Sequence, residues 1–485
     1  MSFNYRVIAN IVGILLMLNG AFMLACLIFS FYYGSSDKLA LFGSGAVTMG
    51  IGALVFFLTS RNQNKELRKR DGYLIVVAGW LFMSFFGTLP YIFSGAIPNL
   101  TDAFFETISG FSTTGATVLL DIEAVDKGIL LWRSLTQWIG GMGIIVLTVA
   151  ILPILGIGGM QLFVAEAPGV SPDKLQPRIK ETAKRLWLIY LGLTLVETGL
   201  LWFGGMSFYD AINHSLTTMA TGGFSTKNAS IAFYTSPFIQ YVLILFMFLA
   251  GTNFTMTYLG LHGQFKKVLK NDEFRFYLGF CVFLSLVVGL SIYGHGHGTL
   301  EKSMRDALFQ VVSVITTTGY ITYDYTSWTS FITILFFVMM FFGASAGSTA
   351  GGVKIVRHII LVKNSILELK RQLHPSAVIP VRFNGKAVSR DITFNILAFI
   401  MIYIFIFAVG SMTMAILGED FNTAIGATAT CLGNIGPGLG NVGPVDNFAS
   451  ISAPGKWVLS FLMLLGRLEL FTVLMLFTPY FWKNN

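Results

Sequence analysis

Four times along this 485-residue chain an alanine is followed, twelve residues later, by a glycine set in a short polar cluster. The pairs are Ala103 and Gly115, Ala211 and Gly223, Ala307 and Gly319, and Ala424 and Gly436; Asp102, Asp210 and Asp306 precede the first three alanines and Thr423 the last. The clusters read "FSTTGATVL", "MATGGFST", "VITTTGYIT" and "CLGNIGPGL". Successive glycines lie 108, 96 and 117 residues apart, so one structural unit recurs four times in the same orientation. Each cluster closes a semi-apolar stretch of about 12 residues, too short to cross a bilayer and suited to a re-entrant segment.

What flanks these stretches fixes the setting. Residues are 54% apolar and only 12% charged, a balance that excludes a soluble protein of several domains. Ten windows are long and apolar enough to span: 8–31, 39–59, 73–95, 129–157, 186–206, 237–262, 276–294, 328–362, 391–417 and 456–481, the eighth interrupted. The expected fold is an all-α polytopic membrane protein of ten transmembrane helices. Two lead the chain (1–72), and eight form four helix–pore-loop–helix repeats around one central pore, at 73–165, 166–275, 276–390 and 391–485. The first window lacks a short apolar core with a small-residue cleavage site and reads as a retained helix. Cys26, Cys281 and Cys431 have neither disulfide nor zinc spacing.

The formal charge of +8 is a topology signal. With the N-terminus inside, the inner loops 61–72, 165–185, 263–275 and 363–390, adjoining helix ends and the termini hold 24 of the 32 Lys and Arg. The positive-inside rule then puts both termini in the cytoplasm. It leaves little basis for a nucleic-acid partner.

Non-helical backbone at membrane depth survives where protein buries it or water reaches it, and four copies around an axis meet that condition by lining a pore. A dehydrated monovalent cation needs a cage of oxygens, which four strands of backbone carbonyls supply. Glycine permits the dihedrals that aim such carbonyls at one axis, and threonine hydroxyls add ligands or tie the strand down. Taken singly, each cluster also fits a polar turn with a glycine cap; four copies in register favour the pore. Gly438-x-Gly440-x-x-Gly443 imitates a dinucleotide fingerprint, but no strand or βαβ unit surrounds it. No zincin motif, intramembrane Asp pair or Ser/His constellation points to an enzyme. A secondary symporter, moving the cation together with a second ion, is the alternative, although inverted repeats would mark that fold.

The turns Thr113-Thr114-Gly115, Thr221-Gly222-Gly223, Thr317-Thr318-Gly319 and Asn434-Ile435-Gly436 resemble the selectivity-filter strands of the Trk/Ktr/HKT potassium-uptake superfamily. So do "WRSLTQWIGGMGI" at 132–144, "GASAGSTAGGVKI" at 343–355 and "GRLELF" at 466–471. The two leading helices resemble the TrkH branch in particular. The resemblance implies potassium as the transported ion with no organic cofactor, a homodimer in the bacterial cytoplasmic membrane, and a cytosolic ring of TrkA-type nucleotide-binding subunits. Sodium-permeable plant relatives have serine at the first filter glycine, so Gly115 favours potassium. Asn434 and Pro437 depart from the Thr-Thr-Gly pattern, and four unlike strands make a site looser than a symmetric one.

Two further features point to a gate. The eighth window breaks at 343–354, where Gly343, Gly347, Gly351 and Gly352 alternate with Ala344, Ser345, Ala346, Ser348, Thr349 and Ala350 before Lys354. Glycine costs roughly 1 kcal/mol in a helix interior, so this stretch is expected to be a loop at membrane depth, obstructing the pore beneath the filter. Close helix packing through small residues is the other reading. Arg467 lies inside the last window, where an uncompensated charge costs about 2.5–3.5 kcal/mol. Facing the pore it would repel cations and donate to carbonyls of 343–354; the alternative is an ion pair with a carboxylate on another helix, Glu469 being on the wrong face. Glu106, Asp102, Asp210 and Asp306 are candidates for drawing cations to the outer mouth or for helix capping. His295 and His297 read as a solvated outer loop, and His214 as a packing residue.

Overall fold

An apolar run in lipid satisfies its own backbone by forming a helix, and helices dominate the computed structural model, which describes residues 3–60, 69–146, 179–374 and 379–483. Among the described residues six helices are long and apolar enough to span: Tyr5–Tyr32, Lys38–Thr59, Arg70–Ser94, Lys184–Phe203, Asp272–Gly294 and Arg390–Ile416. Two bent pairs, Pro237–Ala250 with Phe254–Leu261 and Ala453–Arg467 with Phe471–Phe477, raise the number to eight if each is one span. The window at 129–157 is described only as far as the helix Lys127–Val146. That at 328–362 divides into Ser330–Met339 and Ile355–Leu373. Arg61, Lys65, Arg68, Lys174, Arg178 and the expected boundary at 165/166 lie outside the described residues.

Three expectations are corrected. The windows at 237–262 and 456–481, unlike the eighth, read as uninterrupted spans, but they bend by 113° and 111°. At the first bend Gly251 is pressed onto its neighbours, since a Cβ there would lie 2.6 Å from the Tyr277 hydroxyl and 2.7 Å from the Thr316 methyl. Asn253 then restarts the helix, accepting the Thr255 N–H at 2.8 Å. At the second bend Glu469 (φ 54°) and Leu470 (φ 24°) take left-handed backbone. Such strain persists where the surroundings over-determine it; here Glu469 pairs with Arg357 at 2.6 Å and Leu470 is buried. The third correction concerns 363–390, expected to be a loop: helix continues to Leu373, and Arg382–Phe383 pairs with Lys386–Ala387 in a small hairpin.

The four short stretches are helices, Leu100–Phe111, Phe208–Met219, Leu300–Ile315 and Phe421–Gly433. Asn99, Ser207, Thr299 and Asp420 cap them, each side chain accepting a first-turn N–H. The leading pair packs backbone to backbone: a Cβ on Gly13 would meet Gly52 O at 2.8 Å, and one on Gly20 would meet Gly45 O at 2.7 Å. Asp37, between those two helices, accepts the Ile129 N–H at 2.9 Å and so fastens the pair to the start of Lys127–Val146.

Candidate functional site

All four short helices end in one cap geometry. The second residue past each helix takes left-handed backbone in the first three copies, at Thr113 (φ 53°), Thr221 (53°) and Thr317 (56°); in the fourth, the residue directly after Gly433 does so, Asn434 (55°). The next N–H reaches back five residues: Thr114 to Ser109 O (2.9 Å), Gly222 to Thr217 O (2.8 Å), Thr318 to Ser313 O (2.9 Å) and Ile435 to Thr430 O (3.0 Å). This is the Schellman pattern, in which glycine is usual at the left-handed position. The glycines instead come two residues later, left-handed again, at Gly115, Gly223, Gly319 and Gly436 (φ 84°, 77°, 79° and 106°).

Those glycines bring the turns together in a ring. A Cβ on Gly115 would lie 2.2 Å from Gly222 O; on Gly223, 1.9 Å from Thr318 O; on Gly319, 1.9 Å from Ile435 O; on Gly436, 2.8 Å from Thr114 O. Each glycine thus faces the residue just before the next turn's glycine, and the fourth faces the first. Thr113, Thr114, Thr221, Thr317, Thr318, Asn434 and Ile435 are all fully buried around this ring. A cavity of about 380 Å³ borders the four glycines and opens toward the segments that follow them.

Side chains sew neighbouring turns together. Asn434 Nδ2 donates to Thr114 Oγ1 at 3.0 Å and to Met463 O at 2.9 Å. Tyr320 O–H donates to His214 O at 2.9 Å, and Tyr325 O–H to Gly438 O at 3.0 Å. Between the first two turns Gln137 Nε2 donates to Gly222 O (2.6 Å) while its Oε1 accepts the Phe224 N–H (3.1 Å). One helical turn earlier, buried Arg133 pairs with Glu106 (2.7 Å), donates to Ser225 O (3.0 Å) and lies 3.5 Å from the Phe224 ring centre. Farther out Asn228 Nδ2 donates to Asp121 at 2.9 Å; that bond holds the exposed carboxyl below the usual carboxylate range.

Loop 343–354 lies at the other end of the turns, with Ala344, Ser345, Ala346, Ser348, Thr349, Ala350 and Lys354 buried. Gly343 N–H closes its neck on Val353 O (2.7 Å), Gly347 and Gly352 are left-handed, and Lys354 donates to Ala350 O. Its tip meets the ring: Gly351 N–H donates to Thr317 Oγ1 (2.8 Å), and Thr349 Oγ1 to Met219 O (2.9 Å). The bend at 251–253 grips its other side. Ser345 N–H donates to Gly251 O (3.0 Å), Asn253 Nδ2 to Ala346 O (2.7 Å) and Phe254 N–H to Gly347 O (3.2 Å), while Glu273 accepts the Ala346 N–H (2.7 Å). Buried Arg467 donates to Thr349 O at 2.7 Å and to Gly140 O at 3.0 Å.

The remaining candidates are engaged in local structure. Glu106 accepts from Thr117 Oγ1 and Val118 N–H, each at 2.9 Å, in addition to Arg133. Asp102 pairs with Lys456 (2.6 Å) and Asp210 accepts from Ser207 and Thr226 hydroxyls. His214 is buried between Asp210 O and Ser225 Oγ. His295 is exposed, but His297, expected to be solvated, is half-buried against Tyr323 and Trp328 and bonds Asp306 at 3.1 Å. Sequence reasoning assigned no role to Arg133, Gln137, Asn253 or Glu273. Arg133 and Gln137 carried a legible signal, being polar in the middle of an apolar window.

A family model described as "Cation transport protein" (TrkH) matches residues 38–290 and 297–483. The chain belongs to the TrkH family. Its TrkH-family relatives are transport proteins, and the chain is a transporter, not an enzyme. The "Trk system potassium uptake protein TrkH" of Salmonella typhimurium is 42% identical over 486 residues, 99% of this chain and 100% of that one. The "Trk system potassium uptake protein TrkG" of Escherichia coli is 33% identical over 99% of each chain. A crystal structure of the potassium transporter TrkH from Vibrio parahaemolyticus superposes with a TM-score of 0.91 at 38% identity, covering 99% of this chain and 100% of that one.

Proposed function

We propose that this chain carries potassium inward across the bacterial cytoplasmic membrane through a channel-like pore, with Thr113–Gly115, Thr221–Gly223, Thr317–Gly319 and Asn434–Gly436 as its four filter strands. The observation that carries this reading is the closed ring in which each turn glycine abuts the carbonyl before the next. Backbone oxygens converging from four sides are what a dehydrated monovalent cation requires. On this reading ten helices cross the membrane, the last eight as four repeats at 73–165, 166–275, 276–390 and 391–485, with both termini in the cytoplasm. Loop 343–354 and Arg467 form the gate. The loop closes under the ring at Thr317, and a guanidinium on the ion path adds Coulomb repulsion. The potassium-uptake names of its relatives support the choice of ion. The family resemblance adds a homodimer and a TrkA-type cytosolic ring as partners.

Rubidium and sodium uptake into proteoliposomes, measured for the wild type and for Gly319→Ser, tests the reading. A side chain at 319 must displace Ile435 O, which stands 1.9 Å from its Cβ position. The wild type should therefore prefer rubidium, and the variant should lose most of that preference. Equal uptake of both ions by the wild type overturns the filter, and rubidium uptake that needs a sodium or proton gradient replaces the channel with the symporter.

A further inference from the structure

The ring is symmetric in its backbone and unsymmetric in what holds it. A Cβ on Gly140 would strike Phe111 O at 2.0 Å, and one on Gly466 would strike Leu432 O at 2.1 Å. Phe111 and Leu432 each stand four residues before their turn glycine, so Lys127–Val146 and Ala453–Arg467 are seated alike. Likewise Gly141 abuts Ala220 and the Tyr190 hydroxyl as Gly251 abuts Thr316 and the Tyr277 hydroxyl. Both registers put Gln137 level with a methionine, Met463 in the fourth repeat and Met247 in the second, each fully buried. Where those repeats pack a thioether, the first presents a primary amide.

That amide spans a filter strand. Gln137 takes Gly222 O and the Phe224 N–H together, bracketing Gly223 as a neighbouring strand would. Arg133, four residues earlier on the same helix face, continues the seam through Ser225 O and the Phe224 ring, and Glu106 passes it to Val118 N–H beyond the first turn. We infer that Gln137 is a specificity-determining positioning residue: it fixes the Gly222 and Gly223 peptides, braced through Arg133 and Glu106, and thereby sets how well the filter distinguishes potassium-sized from sodium-sized cations. The inference rests on the filter reading above. A carbonyl held by an amide cannot swing inward to follow a smaller ion, so the bracket penalises sodium. Loss of the bracket leaves buried Gly222 O and Phe224 N–H without that partner.

The test replaces Gln137 with methionine, as in the second and fourth repeats, and with leucine, both apolar and of similar volume. Met247→Leu serves as an equal packing change at an equivalent site. Rubidium and sodium fluxes are measured in proteoliposomes for protein that elutes as a single species. In Gln137→Met and Gln137→Leu the rubidium-to-sodium flux ratio should fall about fivefold or more, and Met247→Leu should leave the ratio unchanged. An unchanged ratio in both Gln137 variants beside a selective wild type overturns the inference, as does an equal fall in Met247→Leu. A wild type without rubidium preference overturns the filter reading itself.

Discussion

A β-branched residue in left-handed backbone costs about 1–3 kcal/mol, and the turns carry three, Thr113, Thr221 and Thr317. Glycine would adopt that backbone without penalty, but at 317 the threonine side chain makes a bond that glycine cannot. Thr317 Oγ1 accepts the Gly351 N–H from loop 343–354, joining the third turn to the loop in one bond, which on the proposed reading ties filter to gate. In the fourth turn asparagine, which tolerates this backbone better, uses its amide to link Thr114 with Met463. Arg467 acts at the same scale. Its fork holds Thr349 O and Gly140 O, so it latches the loop and adds positive charge beneath the ring. A unit charge about 4 Å from a cation's path costs ~1–4 kcal/mol between bulk water and near-surface dielectric. Arg467→Ala should accordingly raise rubidium flux about tenfold. Arg467→Lys keeps the charge but not the fork, and its flux should fall between those of the wild type and the alanine variant. Loss of monodisperse protein in both variants would instead make Arg467 a packing residue.

At the scale of elements, the proposed gate is built from two broken helices. The bend at 251–253 supplies the backbone and amide groups that hold residues 345–347, and Glu273 completes the clamp at Ala346 N–H. Each bond contributes roughly 0.5–1.5 kcal/mol net. Asn253→Ala and Glu273→Ala should each increase rubidium leak several-fold, and the double variant should exceed either; leak equal to that of the wild type would show that the clamp does not hold the gate. The two breaks were not equally legible. Four glycines among alanine and serine at 343–354 weaken helix locally, and the sequence declares it. "FLAGTNF" at 248–254 holds a single glycine in an apolar run, and its bend depends on Tyr277, Thr316 and the loop packed against it. The bend at 468–470 is marked in the sequence only by Gly466, Arg467 and Glu469 within an apolar window, and the Glu469 partner, Arg357, lies more than a hundred residues away. The turns were readable because the same local cap recurs four times in fixed register. Gln137 and Arg133 were visible as polar residues in an apolar window, but their partners across the ring were not.

For the molecule as a whole, the turns close into a ring from the fourth onto the first; on the proposed reading one chain then suffices for one pore, and the loop beneath holds the resting pore closed. Bonds from Ser345, Ala346, Gly347, Thr349 and Gly351 to the bend and the ring, together with Arg467, favour that closed arrangement. If these sum to as little as ~3 kcal/mol, the open form is below about 1% of the population. A regulator can then raise flux only by binding the open form more tightly than the closed one. Its effect must disappear once the loop is gone. Two linked outcomes follow for rubidium influx into proteoliposomes. The chain alone should conduct slowly and gain at least about tenfold on addition of a nucleotide-loaded cytosolic ring, whereas a chain lacking residues 345–351 should conduct fast from the start and gain nothing. Equal stimulation of both would locate the regulated barrier away from the loop, since removing a gate that a regulator opens leaves that regulator nothing to open.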